Sequence, residues 1–232
     1  MTPIKGFLET SFLDWPGKIA AVVFLPCCNF RCPFCHNARL ILEPEKLQNI
    51  PLSHVLSRLD EFHDWIDGIC ITGGEPTNHL RLSELITALK DKGLAVKLDT
   101  NGSNPDFLKA LIRDRLIDCV AMDIKAPLDQ TSYSRLTGIP VEINTIRASI
   151  DLLRSSLIEV IFRMTVVPDL LREDDIFQTA RDLRPAHQFI LQQFRPLDVL
   201  DPALSRLTPW PEERLKQAQL RVDEILGAYN DA

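Results

Sequence analysis

Short apolar runs rich in β-branched residues alternate along the chain with longer segments of helical periodicity. Each run is apolar at nearly every position, as in strands that are buried on both faces of a parallel sheet. The pattern predicts strands at Ile19–Leu25, Gly68–Thr72, Ala95–Thr100, Val120–Ile124, Val160–Val166 and Phe189–Gln193. It predicts helices at Leu52–Asp64, Leu82–Lys92, Pro105–Asp114, Asn144–Ser155, Glu173–Leu183 and Pro211–Ala228. This alternation is typical of repeated βα units around a parallel sheet.

The number of βα units and the chain length indicate whether the parallel sheet closes into a barrel. Six units are fewer than the eight of a closed barrel, and 232 residues fall below its usual length of about 250. We therefore expect a single α/β domain with an incomplete (βα)6 barrel of TIM type, whose open side can admit a large substrate. Residues 1–18 would form an N-terminal segment, 19–196 the partial barrel and 197–232 a C-terminal extension with a helix. The chemistry of such barrels lies at the carboxyl-terminal ends of the strands.

Composition and charge narrow the class of partner. The chain is 45% hydrophobic and 25% charged, an ordinary globular balance, and its net charge is −6. It lacks the basic excess that binding to a nucleic-acid backbone requires, so a protein or a small molecule is the better candidate partner. The sequence has no secretory signal pattern and no apolar run near the ~18 residues of a membrane span. We expect no membrane attachment and a cytoplasmic location.

Four of the six cysteines lie within nine residues, which is unlike the spread of cysteines in a disulfide framework. The run LPCCNFRCPFCHN, residues 25–37, follows the first predicted strand and contains the spacing C-x3-C-x2-C at Cys28, Cys32 and Cys35. Three thiolates this close can bind three corners of an iron–sulfur cubane, whereas clusters that only carry electrons normally have four cysteine ligands. The fourth iron would then be open to a substrate or a cofactor.

A zinc site and chance clustering are the alternatives to an iron–sulfur cluster for this cysteine run. In a zinc site, Cys27 or His36 would supply the fourth ligand. Zinc sites usually combine two ligand pairs that are far apart in sequence, and this chain has no second pair. The isolated Cys70 and Cys119 have apolar neighbours and are expected to be buried small hydrophobic residues.

The cysteine motif resembles that of the radical S-adenosylmethionine (SAM) superfamily. The chain from about Phe7 to Pro196 is similar to the glycyl-radical-enzyme activases of that superfamily, especially the activators of anaerobic ribonucleotide reductase. The resemblance implies a radical SAM barrel in which Cys28, Cys32 and Cys35 hold a 4Fe–4S cluster. SAM would chelate the open iron, and one electron would cleave it to a 5′-deoxyadenosyl radical. The implied partners are a glycyl radical enzyme as substrate and a flavodoxin- or ferredoxin-type electron donor.

The segment ITGGEP, residues 71–76, leaves the second predicted strand. It resembles the GGEP element that receives the methionyl amine of SAM in this superfamily. Gly73 and Gly74 would let the backbone approach a ligand closely, and Glu75 can accept a hydrogen bond from an ammonium group. A simple Gly-Gly turn between strand and helix is the alternative.

Two acidic motifs follow the next strands, DTNG at 99–102 and MDIK at 122–125. Both resemble elements of pyruvate formate-lyase activase. The resemblance implies a monovalent cation beside SAM, held by Asp99, Thr100 and Asp123, with Asn101 also at the SAM site and Lys125 near the carboxylate of SAM. Hard oxygen ligands suit such a cation, and lysine offers a point charge. Taken alone, each motif could be a turn or a surface pair.

The same resemblance suggests positions for three more residues. Phe34 corresponds to an aromatic residue near adenine, with loop packing as the alternative, and Arg163 either faces the barrel interior or is a buried structural arginine. Asp14 lies where the activase has a substrate-contacting aspartate, although Trp15 departs from that motif and a Pro-Gly turn explains it as well. In the cysteine run, Cys27 replaces the usual glycine and would cost about 1 kcal/mol if its φ is positive.

The resulting hypothesis is a radical SAM enzyme that cleaves SAM and installs a glycyl radical on a partner such as anaerobic ribonucleotide reductase. The first alternative is a radical SAM enzyme that acts on a small molecule or a peptide, of the 7-carboxy-7-deazaguanine synthase type. The second, from another class, is a non-enzymatic iron–sulfur or zinc module.

Overall fold

The computed structural model describes residues 2–186 and 188–227 and is built around one seven-stranded sheet in the order β1 to β7. The strands are β1 Gly6–Ser11, β2 Ala20–Leu25, β3 Gly68–Gly73, β4 Ala95–Thr100, β5 Cys119–Asp123, β6 Glu159–Val166 and β7 Phe189–Gln193. The helices are α1 Ala38–Leu42, α2 Leu52–Phe62, α3 Leu82–Lys90, α4 Pro105–Arg113, α5 Gln130–Thr137, α6 Ile143–Arg154, α7 Glu173–Asp182 and α8 Glu212–Gly227. Strand β1 is antiparallel to β2, and the pairs from β2 to β7 are parallel.

The prediction of an incomplete α/β barrel with six parallel strands is confirmed, since β2 to β7 are the six predicted strands to within one or two residues. Three elements were not predicted: β1 in the expected N-terminal segment, α1 after the cysteine run, and α5 between β5 and α6. The last residue of the predicted final helix, Ala228, lies outside the described residues, as do residue 1 and residues 229–232 of the predicted terminal segments.

Successive side chains of a strand point to opposite faces of the sheet, so each strand contributes one row to each face. The outer row, which includes Leu98, Met122 and Phe162, packs with the helices in the main hydrophobic core. Residues of the opposite row of β4, such as Lys97 and Asp99, are buried although they are charged. The row of β4 that faces the barrel interior therefore carries charged residues, whereas the row that faces the helices is apolar.

A second, smaller apolar cluster lies towards the amino-terminal ends of the parallel strands and contains Trp15, Ala20, Cys119, Ala121 and Ile161. The Trp15 side chain is fully buried, and its indole Nε1 donates to Glu159 Oε2 over 3.3 Å. A Cβ atom on Gly68 would lie only 2.7 Å from the Trp15 ring, so the start of β3 packs directly on the indole. Trp15 thus fills this end of the barrel and leaves the opposite end for ligands.

The outer edge of β7 is covered by α8. The side-chain amide of Gln219 accepts from Leu191 N over 2.7 Å and donates to Phe189 O over 2.9 Å, which imitates a neighbouring strand. Pairing of this kind removes a free strand edge that another chain could join. Among the helices of the described ranges, none is long and apolar enough to cross a membrane.

Candidate active site

The carboxyl-terminal ends of β2, β3, β4 and β5 meet at one edge because these strands are parallel neighbours. The loops that leave this edge carry the four predicted motifs: the cysteine run, GGEP, DTNG and MDIK. Parallel sheets place ligand-binding residues at this edge. The four motifs therefore surround one candidate site.

The cysteine loop is anchored to its neighbours by the backbone. Cys27 N donates to Leu40 O over 2.9 Å, and Cys27 O accepts from Glu75 N over 2.8 Å. Further along, Arg31 N donates to Thr137 O over 2.8 Å. The loop is thus tied to α1, to the GGEP turn and to the end of α5, which limits how far its thiols can move.

Two backbone features make the close approach of the loops possible. A Cβ atom on Gly74 would lie 1.7 Å from Cys27 O, so only glycine fits there. Gly73 has φ +125°, and a Cβ atom there would lie 2.2 Å from Leu25 O. Cys27 itself has φ +64°, which is the strained conformation expected for a residue in the usual glycine position.

The three thiols differ in exposure: Cys32 is buried, and Cys28 and Cys35 are half-buried. Burial raises the pKa of Cys28 to about 11 and that of Cys32 to about 12, and it also raises the pKa of Cys35, while nearby Lys125 opposes each shift. The thiols of the iron-free protein are therefore protonated at neutral pH. Iron binds the thiolate, so ligation must release these protons.

The chemistry of the donor set fits an iron–sulfur cluster, because Cys28, Cys32 and Cys35 supply three thiols from one loop. Within residues 2–186 and 188–227, no three His, Cys, Asp or Glu side chains are grouped to hold one metal ion. Two donors face the Cys28 sulfur: Phe30 N at 3.3 Å and the Asn101 side-chain amide at 3.8 Å. His36, a candidate zinc ligand, has its Nε2 2.7 Å from Arg195 O and its ring stacked on Phe194.

Glu75 is fully buried, and its carboxylate joins two loops. Oε1 accepts from Thr77 N, from the Thr77 hydroxyl and from the Thr100 hydroxyl, over 3.1, 2.6 and 2.8 Å. Oε2 accepts from Asn101 N over 2.7 Å. Burial raises the pKa of Glu75, and these hydrogen bonds oppose the rise. The structure thus gives this carboxylate protein partners at the place where the sequence suggested the amine of SAM.

A network of charged side chains fills the barrel interior below the loops. The Arg163 guanidinium on β6 donates to Asp99 Oδ2 over 3.2 Å and to Asp123 Oδ1 over 2.9 Å. Lys97 forms a short hydrogen bond to Asp99 Oδ1, and Lys125 Nζ lies 3.0 Å from Asp123 Oδ2. Burial tends to raise the pKa of Asp123, but Arg163 and Lys125 outweigh it and hold this pKa at about 2.

The sequence pattern leaves the orientation of Arg163 open and assigns no role to Lys97. Arg163 faces the interior and pairs with both acidic motifs. The Lys97 side chain is 1% exposed, and its ammonium lies 3.5 Å from the Cys70 sulfur. One charged residue in an otherwise apolar strand segment, AVKL, was the available signal, since a buried lysine needs a charged partner. Cys70 and Cys119 are buried, as predicted.

Phe34 and Asp14, both predicted as site residues, lie apart from the charged network. Phe34 lies within the cysteine loop and is buried in the main hydrophobic core, where it packs against other apolar side chains. Asp14 lies in the loop before β2, at the amino-terminal end of the parallel strands, and its Oδ2 accepts from the Ser11 hydroxyl over 2.5 Å. The structure therefore does not bring Asp14 to the edge that carries the cysteines.

The sequence comparisons agree with this arrangement. The pattern of the radical SAM superfamily matches residues 22–183, and the chain belongs to that superfamily. It is therefore a radical SAM enzyme. Among the curated proteins, the chain is similar to two that are named as activating enzymes. A protein of Methanocaldococcus jannaschii, provisionally named a glycyl-radical enzyme activating enzyme, is 35% identical over 214 residues, which cover 90% of this chain and 87% of the relative. The pyruvate formate-lyase-activating enzyme of Staphylococcus aureus (strain USA300) is 28% identical over 151 residues, 59% of each chain.

Solved structures share the fold at low sequence identity. A radical SAM methyltransferase from Sphaerobacter thermophilus aligns with a TM-score of 0.68 at 17% identity, covering 94% of this chain and 65% of the other. SuiB of Streptococcus suis, bound to its precursor peptide SuiA, aligns with a TM-score of 0.62 at 16% identity, covering 90% and 46%. These similarities concern the partial barrel and not the reaction.

Proposed function

We propose that this chain activates a glycyl radical enzyme, with Cys28, Cys32 and Cys35 as the three ligands of a 4Fe–4S cluster and SAM as its co-substrate. The observation that carries the proposal is the position of the cysteine loop at the ligand-binding edge of the barrel, where Cys28, Cys32 and Cys35 have the C-x3-C-x2-C spacing. The relative that matches 90% of the chain, and is named for glycyl-radical enzyme activation, supports the same class of substrate.

Cys28, Cys32 and Cys35 would hold the cluster, which would supply the electron for reductive cleavage of SAM to methionine and a 5′-deoxyadenosyl radical. The chain's own residues hold SAM at the edge of the barrel. Gly73 and Gly74 pack directly against the backbone of Leu25 and Cys27, which holds the GGEP turn beside the cysteine loop, where the methionyl group would bind. Lys125 is half-buried and near enough to all three cysteines to lower the pKa of each thiol, so its ammonium is placed to bind the carboxylate of SAM.

The protein must also keep water and stray hydrogen donors away from the radical. Trp15 fills the amino-terminal end of the barrel, so access is restricted to the opposite edge and the open side. Exclusion of water protects reactive species from side reactions. The substrate that we propose is a glycine Cα–H in a loop of the partner enzyme, as in the activation of anaerobic ribonucleotide reductase. A flavodoxin- or ferredoxin-type protein would supply the electron.

Some expectations from the sequence remain predictions. Asp14 is a substrate contact only if the partner loop reaches the amino-terminal end of the interior, where the Ser11 hydroxyl positions its carboxylate. The cytoplasmic location and the three segments 1–18, 19–196 and 197–232 are likewise proposals.

The first experiment tests the cluster and the cleavage of SAM. The anaerobically reconstituted protein, incubated with SAM and dithionite, should release 5′-deoxyadenosine and methionine. Cys28→Ser should abolish this release, whereas Cys27→Ser, one residue away and exposed, is the matched control and should retain it. Loss of the cluster in Cys27→Ser with retention in Cys28→Ser would contradict the assignment of ligands.

The second experiment tests the substrate. The same reaction is repeated with candidate glycyl radical enzymes, and electron paramagnetic resonance is used to detect a glycyl doublet on the partner. Release of 5′-deoxyadenosine without a protein radical across the candidates would favour a small molecule or a peptide as substrate. Zinc in place of iron in the anaerobically purified protein would refute the radical mechanism altogether.

A further inference from the structure

The two acidic motifs have no free carboxylate oxygen at the place where the sequence suggested an inorganic cation. Asp99 Oδ1 is bound by Lys97, and Asp99 Oδ2 is bound by Arg163. Asp123 Oδ1 is bound by Arg163, and Asp123 Oδ2 is bound by Lys125. Each of the four oxygens therefore already has a cationic partner from the chain itself.

The third expected ligand is also committed to protein partners. The Thr100 hydroxyl donates to Glu75 Oε1 over 2.8 Å and accepts from Gly102 N over 3.1 Å. A cation at Thr100 would therefore have to share this hydroxyl oxygen with Gly102 N. The oxygen set of Asp99, Thr100 and Asp123 is thus arranged to receive hydrogen bonds rather than to coordinate an ion.

The charge balance points the same way. Three cationic groups and two carboxylates leave the network with one net positive charge. Arg163 and Asp99 are both well buried, with side chains 14% and 10% exposed. Asp99 and Asp123 therefore leave no uncompensated negative charge that an inorganic cation would neutralise. SAM itself brings a positive sulfonium, which is a further disadvantage to an inorganic cation.

Arg163 is well suited to replace an ion. Its planar guanidinium presents several donors in a fixed geometry, which lets one side chain span two carboxylates. The strand register places Arg163 beside the first carboxylate, because Arg163 on β6 pairs with Asp123 on β5. The same guanidinium reaches Asp99 on β4, so one group ties together three neighbouring strands at the site.

We infer that the guanidinium of Arg163 takes the place of the monovalent cation in this chain, so that SAM binds without sodium or potassium. Arg163 is then a positioning residue: it holds Asp99 and Asp123, and through Asp123 it fixes Lys125 beside the cysteines. The inference rests on the SAM-binding part of the proposed function and not on the identity of the hydrogen donor.

The test compares salts at constant ionic strength. SAM binding to the reconstituted wild-type protein is measured by equilibrium dialysis in tetramethylammonium, sodium and potassium chloride, without any partner enzyme. We expect dissociation constants that agree within about twofold, since screening is the same in all three salts. The thermal unfolding midpoint of the iron-free protein should likewise not depend on which of the three cations is present.

The variant Arg163→Gln removes the guanidinium charge and leaves a shorter, neutral side chain with a polar end. Its SAM affinity in tetramethylammonium chloride should fall about tenfold, and sodium or potassium should restore it with a saturable dependence on concentration. Arg163→Lys keeps the positive charge but loses the planar guanidinium. It should therefore need a lower concentration of sodium or potassium than Arg163→Gln to bind SAM as the wild type does. Arg181→Gln, an exposed position on α7, is the control and should behave as the wild type.

Two results would overturn the inference. One is saturable stimulation of wild-type SAM binding by sodium or potassium, which can be measured even if no Arg163 variant folds. The other is an Arg163→Gln protein that binds SAM as the wild type does in every salt. Either would leave the proposed activase function intact, whereas failure of the wild type to bind SAM in any salt would overturn both.

Discussion

Glu75→Gln distinguishes two roles of the GGEP glutamate. If the carboxylate mainly joins the GGEP and DTNG loops, its replacement should destabilise the protein in the absence of iron and SAM. If it mainly accepts from the amine of SAM, the iron-free protein should be unaffected. The substitution is nearly isosteric, so packing changes little and the effect reports on charge and hydrogen bonding.

The geometry sets the size of the effect. Oε1 receives three donors and Oε2 receives one, from Asn101 N. The glutamine amide retains most bonds when its oxygen takes the Oε1 position, but its NH2 group then meets the backbone N–H of Asn101. One charge-assisted hydrogen bond worth about 1.5–3 kcal/mol is lost, and three others weaken. Relief from burying the carboxylate, which the raised pKa of Glu75 reflects, offsets part of the loss. We expect a net destabilisation of about 2 kcal/mol.

The measurement is the free energy of unfolding of the iron-free protein in denaturant at neutral pH, with the slope compared between variants. Glu45→Gln, at an exposed position after α1, is the matched control and should change stability by less than about 0.5 kcal/mol. The reasoning is refuted if Glu75→Gln unfolds like the wild type while the reconstituted protein loses affinity for SAM.

Three further predictions concern single positions. Cys27→Gly relieves the positive φ of +64° and should stabilise the iron-free protein by up to about 1 kcal/mol in denaturant unfolding, whereas a destabilised variant would contradict the strain. Trp15→Ala empties the amino-terminal end of the barrel and should cost about 3–5 kcal/mol; a loss below about 1 kcal/mol would show that the indole does not fill that end. The pKa of Asp123 lies at about 2, below its usual 3.8, so its contribution is present above pH 4 and is lost as the pH falls through 2. Asp123→Asn should therefore be about 2 kcal/mol less stable than the wild type near neutral pH and close to it at pH 2, and a gap that is independent of pH would contradict this assignment.

The six parallel strands could be predicted because strands buried on both faces are apolar throughout, and the motifs at their ends then identified the ligand-binding edge. Strand β1 escaped prediction because it is an edge strand with alternating half-buried and exposed positions, GFLETS, and it pairs antiparallel. Such a sequence lacks the continuous apolar run that is typical of parallel strands buried on both faces.

Helix α5 was missed for a different reason. Its sequence, QTSYSRLT, is rich in hydroxyl residues that favour turns over helix interiors. Its ends carry recognisable signals, however: the Asp129 side chain caps the helix by accepting from Ser132 N over 2.8 Å, and Gly138 follows it with φ +70°. The helix is therefore specified by its caps and by the burial of Tyr133 and Leu136 more than by the propensity of its interior.

The charged network contains residues that the sequence motifs do not identify. DTNG and MDIK identify Asp99 and Asp123, but the partners of these carboxylates come largely from outside both motifs. Lys97 can be placed from sequence, since a residue two positions before Asp99 on a strand lies on the same face. Arg163 cannot, because its position opposite Asp123 depends on the pairing of β5 with β6, and a shift of one residue would turn its side chain towards the helices. Whether two motif carboxylates hold an ion or a guanidinium is thus decided by strand register, which a match to either motif does not contain.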